Sequence, residues 1–469
     1  MFIGRSDELK FLEERMAAKG GQLVVIYGRR RIGKTGLLRK FCEGKRHVFY
    51  SCTESPDAQQ LAAFSERVLR ENVPASRYIT SFADWRQAFE SIAELPGDDR
   101  KILVIDEFPY MVRGNRAIPS ILQNLWDEKL KDENVMIILC GSAMSFIEKE
   151  ILAEKNPLYG RATGILKINE MDFFDASKFV PRYCPEDKIA TYAALGGVPH
   201  YLKQFNDGLP ICENIKRGIF QRGSVLYSEV EFLMRQELRE TSVYNAIIEA
   251  VALGATKLNE IYQKTQIEKT KLSAYLKNLI ELGIIIREFS VLDGIKEHAN
   301  VQRGLYRIAD NFFRFWYTFV FPNISELEAG DAEGVWRFVA EPHMNRYVSL
   351  TFEEVCRQYL RRENRNDALP FRFTKIGRWW NKNNELDIMA FDAQKENFLL
   401  GECKYKNSPF DLGDLKNMQG KFIAPDSVNV YYVLFSKSGF TRDVIGVADS
   451  QNIFDSIDKR HHLYLKSLT

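Results

Sequence analysis

Seven cysteines are scattered through 469 residues with no Cys-x2-Cys pair and no histidine partner at zinc spacing. That excludes a zinc ribbon or a disulfide framework and leaves reduced thiols, as in a cytoplasmic protein. Net charge is nearly absent: 65 Lys and Arg against 63 Asp and Glu leave a formal +2. A basic field over the whole molecule therefore cannot draw nucleic acid, and any such contact must come from a local patch. No run approaches the ~20 apolar residues that span a bilayer. The opening Met1-Phe2-Ile3-Gly4-Arg5 lacks the apolar stretch of a signal peptide, so no membrane is expected. The aromatic cluster from Phe312 to Phe321 is broken by Arg314 and Thr318 and reads as buried core. Internal repeats and low-complexity linkers are missing too. What is present, 45% hydrophobic and 27% charged residues, describes a soluble globular chain. Its length suits about three domains at ~100–200 residues each.

Three stretches differ in pattern. Up to about Leu166, the short apolar runs Leu23–Tyr27, His47–Ser51, Ile102–Ile105 and Val135–Cys140 alternate with amphipathic segments. That rhythm predicts a parallel α/β sheet with helices on its faces. From about Glu170 to Leu305 the pattern is helical. It ends in three short helices, a strand Ile284–Phe289, a polar wing and a return strand Leu305–Ile308, the plan of a winged helix-turn-helix. From about Tyr347 a new unit begins, with a helix, then strands, a helix, and the strand Val428–Phe435.

Gly28-Arg29-Arg30-Arg31-Ile32-Gly33-Lys34-Thr35 follows the first apolar strand and precedes a helical pattern, as a phosphate-binding P-loop requires. Gly28 and Gly33 let backbone N–H groups turn toward phosphates. Lys34 would reach the β- and γ-phosphates of ATP, and the Thr35 hydroxyl would ligate Mg²⁺. Ile102–Ile105 runs into Asp106 and Glu107. Asp106 fits a ligand to Mg²⁺ through water, and Glu107 the base that orients the attacking water. An acidic pair after a strand also caps helices, and the P-loop is what favours the hydrolytic role. Ser142, after Val135–Cys140, is placed to sense the γ-phosphate. Arg161 is a candidate arginine finger, and a salt bridge explains it equally well. Arg29, Arg30 and Arg31 can meet phosphate or a neighbouring acidic surface.

Four segments carry a resemblance: Phe2-Ile3-Gly4-Arg5 with Glu8-Leu9, Tyr27 to Arg31, Leu158-Tyr159-Gly160-Arg161, and Leu195-Gly196-Gly197-Val198-Pro199. Together they resemble the prokaryotic AAA+-type ATPases common in archaea and Bacteroidetes, near the STAND group of signalling ATPases. The resemblance implies a helical lid carrying the Gly-x-Pro motif, a winged helix and a C-terminal domain of unknown function. It also implies that Gly4 and Arg5 lie near the adenine.

In the winged-helix segment, Lys269, Lys271 and Lys277 can meet phosphates as a recognition helix does, although Glu260, Glu268 and Glu281 dilute that charge. Contact with DNA and packing between domains both fit. Further on, Glu385-Leu386-Asp387-Ile388-Met389-Ala390 and Phe398-Leu399-Leu400-Gly401-Glu402-Cys403-Lys404 read as a hairpin turning between Gln394 and Lys395. That register sets Asp387 opposite Glu402. Like charges across a ladder destabilise it, so a divalent cation is the natural neutraliser. Lys404 shares the face of Glu402 and can orient a water there. Glu353, on the preceding helix, can add a ligand. The pattern Asp-x(n)-Glu-x-Lys in the order α-β-β-β-α-β resembles the PD-(D/E)XK nucleases, with Leu386 where the name of that superfamily has proline. Arg378-Trp379-Trp380 can line a nucleic-acid groove, but paired tryptophans more often belong to a core.

The expected architecture is therefore α/β: a P-loop AAA+-type ATPase core (1–168), a helical lid (169–240), a winged helix-turn-helix (241–325) and a C-terminal α/β restriction-endonuclease-like domain (326–469). Two functions follow. In one, ATP hydrolysis controls a Mg²⁺-dependent nuclease acting on DNA, with an oligomer or a protein partner. In the other, the chain is a signalling switch whose C-terminal domain only binds DNA or a partner.

Overall fold

In the computed structural model, which describes residues 2–294, 303–425 and 427–450, the chain divides into two compact units. One runs to Met171 and takes in Val198–His200. The other holds Asp172–Gly197 and the described chain from Tyr201 onward.

The first unit is built on a five-stranded parallel sheet, in the order β2-β3-β4-β1-β5. Its strands are β1 (Gln22–Tyr27), β2 (His47–Ser51), β3 (Lys101–Asp106), β4 (Val135–Gly141) and β5 (Gly164–Lys167). β1, β3 and β4 are buried along their whole length. Helices cover both faces of the sheet, so these strands read as unbroken apolar runs instead of alternating ones. Alternation reappears in their packing. Leu23, Val25 and Tyr27 enter one core with Phe64, Trp85 and Phe89. Val24 and Ile26 enter the other with Leu37, Leu38 and Phe41. The four strands expected from sequence are present, and β5 is an addition. It is a short edge strand whose alternate residues face outward, Ile165 being 51% exposed, so it leaves no apolar run to read.

In the second unit, helices Thr241–Ala252, Leu258–Thr265 and Lys269–Glu281 lead into an antiparallel pair, β6 (Ile285–Glu288) and β7 (Leu305–Ile308). Leu272, Leu276 and Leu279 face inward, while Lys269, Lys271 and Lys277 are exposed. Glu260 is engaged locally. Its carboxylate accepts the Thr256 and Lys257 N–H groups at 2.9 and 3.0 Å and caps its own helix. Most of the expected wing falls in 295–302, outside the described residues. The aromatic run is core, as its composition suggests, with Phe312, Phe315, Trp316 and Tyr317 all buried. Phe315 and Phe319 pack on Tyr347, at ring-centroid distances of 5.6 and 5.1 Å.

Tyr347 lies in the long helix Met344–Arg365, which opens the last part of the chain. Strands β8 (Lys375–Trp380), β9 (Glu385–Phe391) and β10 (Asn397–Lys404) follow, then helix Leu412–Lys421 and strand β11 (Asn429–Ser436). The sheet order is β11-β10-β9-β8, antiparallel except for the β10–β11 pair. Gly401 sits at its centre because nothing larger fits. A Cβ there would lie 2.8 Å from Val433 Cγ1 and 3.0 Å from Ile388 Cβ. Among the described residues no helix is long and apolar enough to cross a membrane.

Candidate functional site

The P-loop closes between β1 and helix Lys34–Cys42. Gly28 is required by close approach, since a Cβ would stand 2.4 Å from the Ile168 carbonyl oxygen. Gly33, at φ 94°, makes the left-handed turn into the helix. Lys34 is buried and donates to the Gly28 and Arg29 carbonyls, both at 2.8 Å. Burial pulls its ammonium below the usual lysine range, against the opposing pull of Cys140, Glu107 and Asp106. The Thr35 hydroxyl donates to Asp106 Oδ2 at 2.7 Å, so the loop and the end of β3 form one unit.

Glu107 follows in a left-handed conformation, φ 52°, and makes no capping bond to the helix Phe108–Gly114. Its carboxylate turns instead to Ser142 at the end of β4, accepting from Oγ at 2.9 Å and from the backbone N–H at 3.3 Å. The cap reading of this acidic pair therefore does not hold for Glu107. Arg5, 5% exposed, donates to the Ile32 carbonyl at 3.0 Å and pairs with Glu8 at 2.7 Å. It thus fixes the P-loop from the N-terminal segment, where Gly4 and Arg5 both take positive φ. Arg29 pairs with Glu170 at 3.0 Å. Pro199 approaches the loop as well, with Cγ 3.5 Å from where a Gly33 Cβ would stand. Arg161 forks onto Asp127, with its Nη2 2.8 Å from Oδ2, which is the salt bridge weighed against an arginine finger.

The second cluster lies on the C-terminal sheet. β9 and β10 pair Ile388 with Gly401 and Met389 with Leu400, the register that sets Asp387 beside Glu402. The Cys403 N–H donates to Asp387 Oδ2 at 2.8 Å. Burial and the neighbouring Glu402 charge both raise the Asp387 carboxyl above its ordinary range. Glu353, from the long helix, is raised too, by burial and then by Asp387. Its cationic neighbours Arg357 and Arg378 each stand 3.8 Å away, too far to offset that burial. Glu402, 7% exposed, lies 3.4 Å from Lys404, which also faces Asp414 at 3.5 Å. Burial opposes the charge on Lys404, but Glu402 and Asp414 outweigh it and raise the ammonium.

Comparison with known proteins now adds to this geometry. A family model described as an ATPase domain predominantly from Archaea matches residues 2–205. A second, described as archaeal and bacterial proteins of unknown function, matches residues 316–420. An uncharacterised protein of Methanocaldococcus jannaschii is 33% identical over 462 residues, 98% of this chain and 96% of its own. The chain belongs to that archaeal ATPase family. Among solved structures, the Walker-type ATPase of Pyrococcus abyssi covers 67% of this chain and 96% of its own, at 22% identity and a TM-score of 0.46. The ORC2 protein of Aeropyrum pernix, in ADPNP and ADP complexes, covers 70% and 95%, at 15% identity and a TM-score of 0.40.

Lys421 enters the C-terminal cluster without a signal in the sequence, and Arg378 enters it through ion pairs that its place beside the tryptophans did not suggest. Lys421, the last residue of helix Leu412–Lys421, donates to both oxygens of Glu402 at 2.9 and 2.8 Å. No motif contains it, and only the fold of the helix over the sheet brings it there. Arg378 adjoins Trp379, which is buried as core, while Trp380 is only half-buried. Its guanidinium reaches Glu288 of β6 at 3.3 Å and Glu385 at 3.4 Å as well as Glu353. It therefore ties the β6–β7 hairpin to the acidic cluster.

Proposed function

We propose that this ATPase couples ATP hydrolysis to a Mg²⁺-dependent, nuclease-like site acting on DNA phosphodiesters. The observation that carries the reading is Asp387 beside Glu402 on paired strands, with Lys404 on the face of Glu402, inside a helix-β-β-β-helix-β order. In the nucleotide site, Gly28 to Thr35 wrap the phosphates, Lys34 neutralises them, and Gly4 and Arg5 hold the loop at its adenine side. Thr35 and Asp106 would hold Mg²⁺, whose contribution is to neutralise charge on the phosphate oxygens. Glu107 takes a proton from the attacking water, and Ser142 fixes its carboxylate. Arg161 as a finger would have to leave Asp127, most simply across an oligomer interface. The bounds 1–168, 169–240, 241–325 and 326–469 describe the parts. The three helices with β6 and β7 act as a winged helix that sets Lys269, Lys271 and Lys277 against DNA.

In the C-terminal site the donor set fits a hard divalent cation: the strand register sets two carboxylates side by side, and a cation would neutralise both. What such a cation supplies is Lewis-acid stabilisation of a phosphate oxygen and a more acidic water. Asp387 and Glu402 would hold it, Glu353 would add a further ligand, and Lys404 would orient a water beside it. The new P–O bond forms from water as the sugar oxygen leaves and takes up a proton.

The second reading, a signalling switch whose C-terminal domain only binds, is favoured by one observation. Among the described residues no three His, Cys, Asp or Glu side chains converge closely enough to hold a metal. Cleavage of linear and supercoiled DNA in Mg²⁺ or Mn²⁺, with and without ATP, separates the two. Wild type should cut, Asp387→Ala should not, and Lys34→Ala should abolish ATP turnover and any ATP dependence of cutting. Wild type that leaves every DNA and RNA substrate intact would sink the nuclease reading in favour of the switch.

A further inference from the structure

We propose that Lys421 is a phosphate-binding residue of the C-terminal site, held on Glu402 until a divalent cation takes that carboxylate. The inference rests on the nuclease-like reading and adds to it a residue outside the Asp387, Glu402 and Lys404 pattern.

Three observations lead to it. Glu402 is engaged by two ammonium groups, Lys421 at 2.8 and 2.9 Å and Lys404 at 3.4 Å. Lys404 has a second anion in Asp414, whereas Glu402 is the sole ion-pair partner of Lys421 among the described residues. The root of Lys421 is also fixed. Its carbonyl accepts from Asn384 Nδ2 at 3.1 Å, and the next residue, Phe422, packs edge-on against Trp379 at a centroid distance of 5.1 Å. Only the four methylenes and the ammonium are left to swing.

The chemistry then follows from competition. Lys421 donates to both oxygens of Glu402, and a divalent cation bound there would repel its ammonium at close range. Cation binding therefore displaces the ammonium. Its side chain is 16% exposed, so the released charge is poorly hydrated and needs another anion within reach. A phosphodiester oxygen arriving at the cation supplies that anion. Before then, Lys421 screens Glu402 from Asp387 and lowers the repulsion in the empty site. The cation and the phosphate thus bind in order, the first freeing the lysine that grips the second.

A plain structural ion pair predicts different behaviour, and three measurements on the full chain tell them apart. Lys421→Met and Lys421→Arg are compared with wild type, using ATP turnover as the check that each variant is folded. Free Mn²⁺ is followed by its electron paramagnetic resonance signal. Affinity for a labelled duplex DNA is measured in Ca²⁺, and cleavage is measured in Mn²⁺. Removing the competitor in Lys421→Met should tighten Mn²⁺ binding about threefold or more while weakening DNA binding about fivefold or more, with Lys421→Arg restoring the latter. Unchanged or weaker Mn²⁺ binding in Lys421→Met, or unchanged DNA affinity, would overturn the assignment. Should wild type bind Mn²⁺ and DNA in this Lys421-dependent way yet cut nothing, the nuclease reading falls and the phosphate role stands. Should Mn²⁺ binding be absent, or indifferent to Asp387→Ala, both fall together.

Discussion

Glu107 shows how one side chain is aimed by backbone strain and a single neighbour. A left-handed conformation costs a non-glycine residue about 1–2 kcal/mol, and it turns this carboxylate away from the helix it precedes toward Ser142. If Glu107 is the base, Glu107→Gln keeps the shape and the Ser142 contact but loses the proton acceptor. ATP binding should persist while single-turnover hydrolysis slows by about 10²–10⁴-fold. Turnover within a factor of two of wild type would remove Glu107 from the chemistry. Its position at the end of β3 was legible because a strand, an acidic pair and a P-loop stand in one order in the sequence. The Ser142 contact was not legible, since it joins the ends of two strands far apart in the chain.

The β9–β10 hairpin shows how much an element can declare about itself. Alternating runs on either side of a polar turn fix the register, and a slip by one residue would send every side chain to the opposite face. Asp387 and Glu402 become neighbours by that rule alone. Gly401 marks where β10 lies tight against β11, a contact no local pattern discloses. Gly401→Ala should force Val433 and Ile388 apart and lower stability by about 1–3 kcal/mol, read as an earlier unfolding transition in denaturant. A loss below about 0.5 kcal/mol would mean that the sheet relaxes around the methyl group. A helix was expected between the hairpin and the strand Val428–Phe435, but its bounds and orientation were not legible, so Lys421 stayed hidden.

At the scale of the molecule, the buried carboxylates of the second unit link stability to pH. Burial, and then Glu402's charge on Asp387 and Asp387's on Glu353, raises both carboxyls above the ordinary carboxylate range, so the fold prefers them protonated. Their contribution is complete below the unfolded values near 4 and is lost as pH rises through the folded ones. In EDTA, the thermal midpoint of the wild type should therefore fall from pH 5.5 to 8.5 more steeply than that of Asp387→Asn. Mn²⁺ should flatten the wild-type curve, because a cation restores the ionised form. Parallel curves for the two proteins in EDTA would show that this cluster does not govern the slope.

The sequence by itself determined the P-loop, the acidic end of β3, the parallel α/β rhythm of the first unit and the register of the β9–β10 hairpin. Each is a local matter of residue spacing, strand period and turn chemistry. Only the tertiary structure decided which distant groups answer those residues: Ser142 for Glu107, Arg5 for the P-loop carbonyl, Arg378 for Glu353, and Lys421 for Glu402. It also added the edge strand β5, whose exposed alternate residues leave no apolar signature. The division has a physical cause. Periodicity writes the direction of a side chain into its neighbours in sequence, whereas the partner it meets is set by how helices and sheets pack.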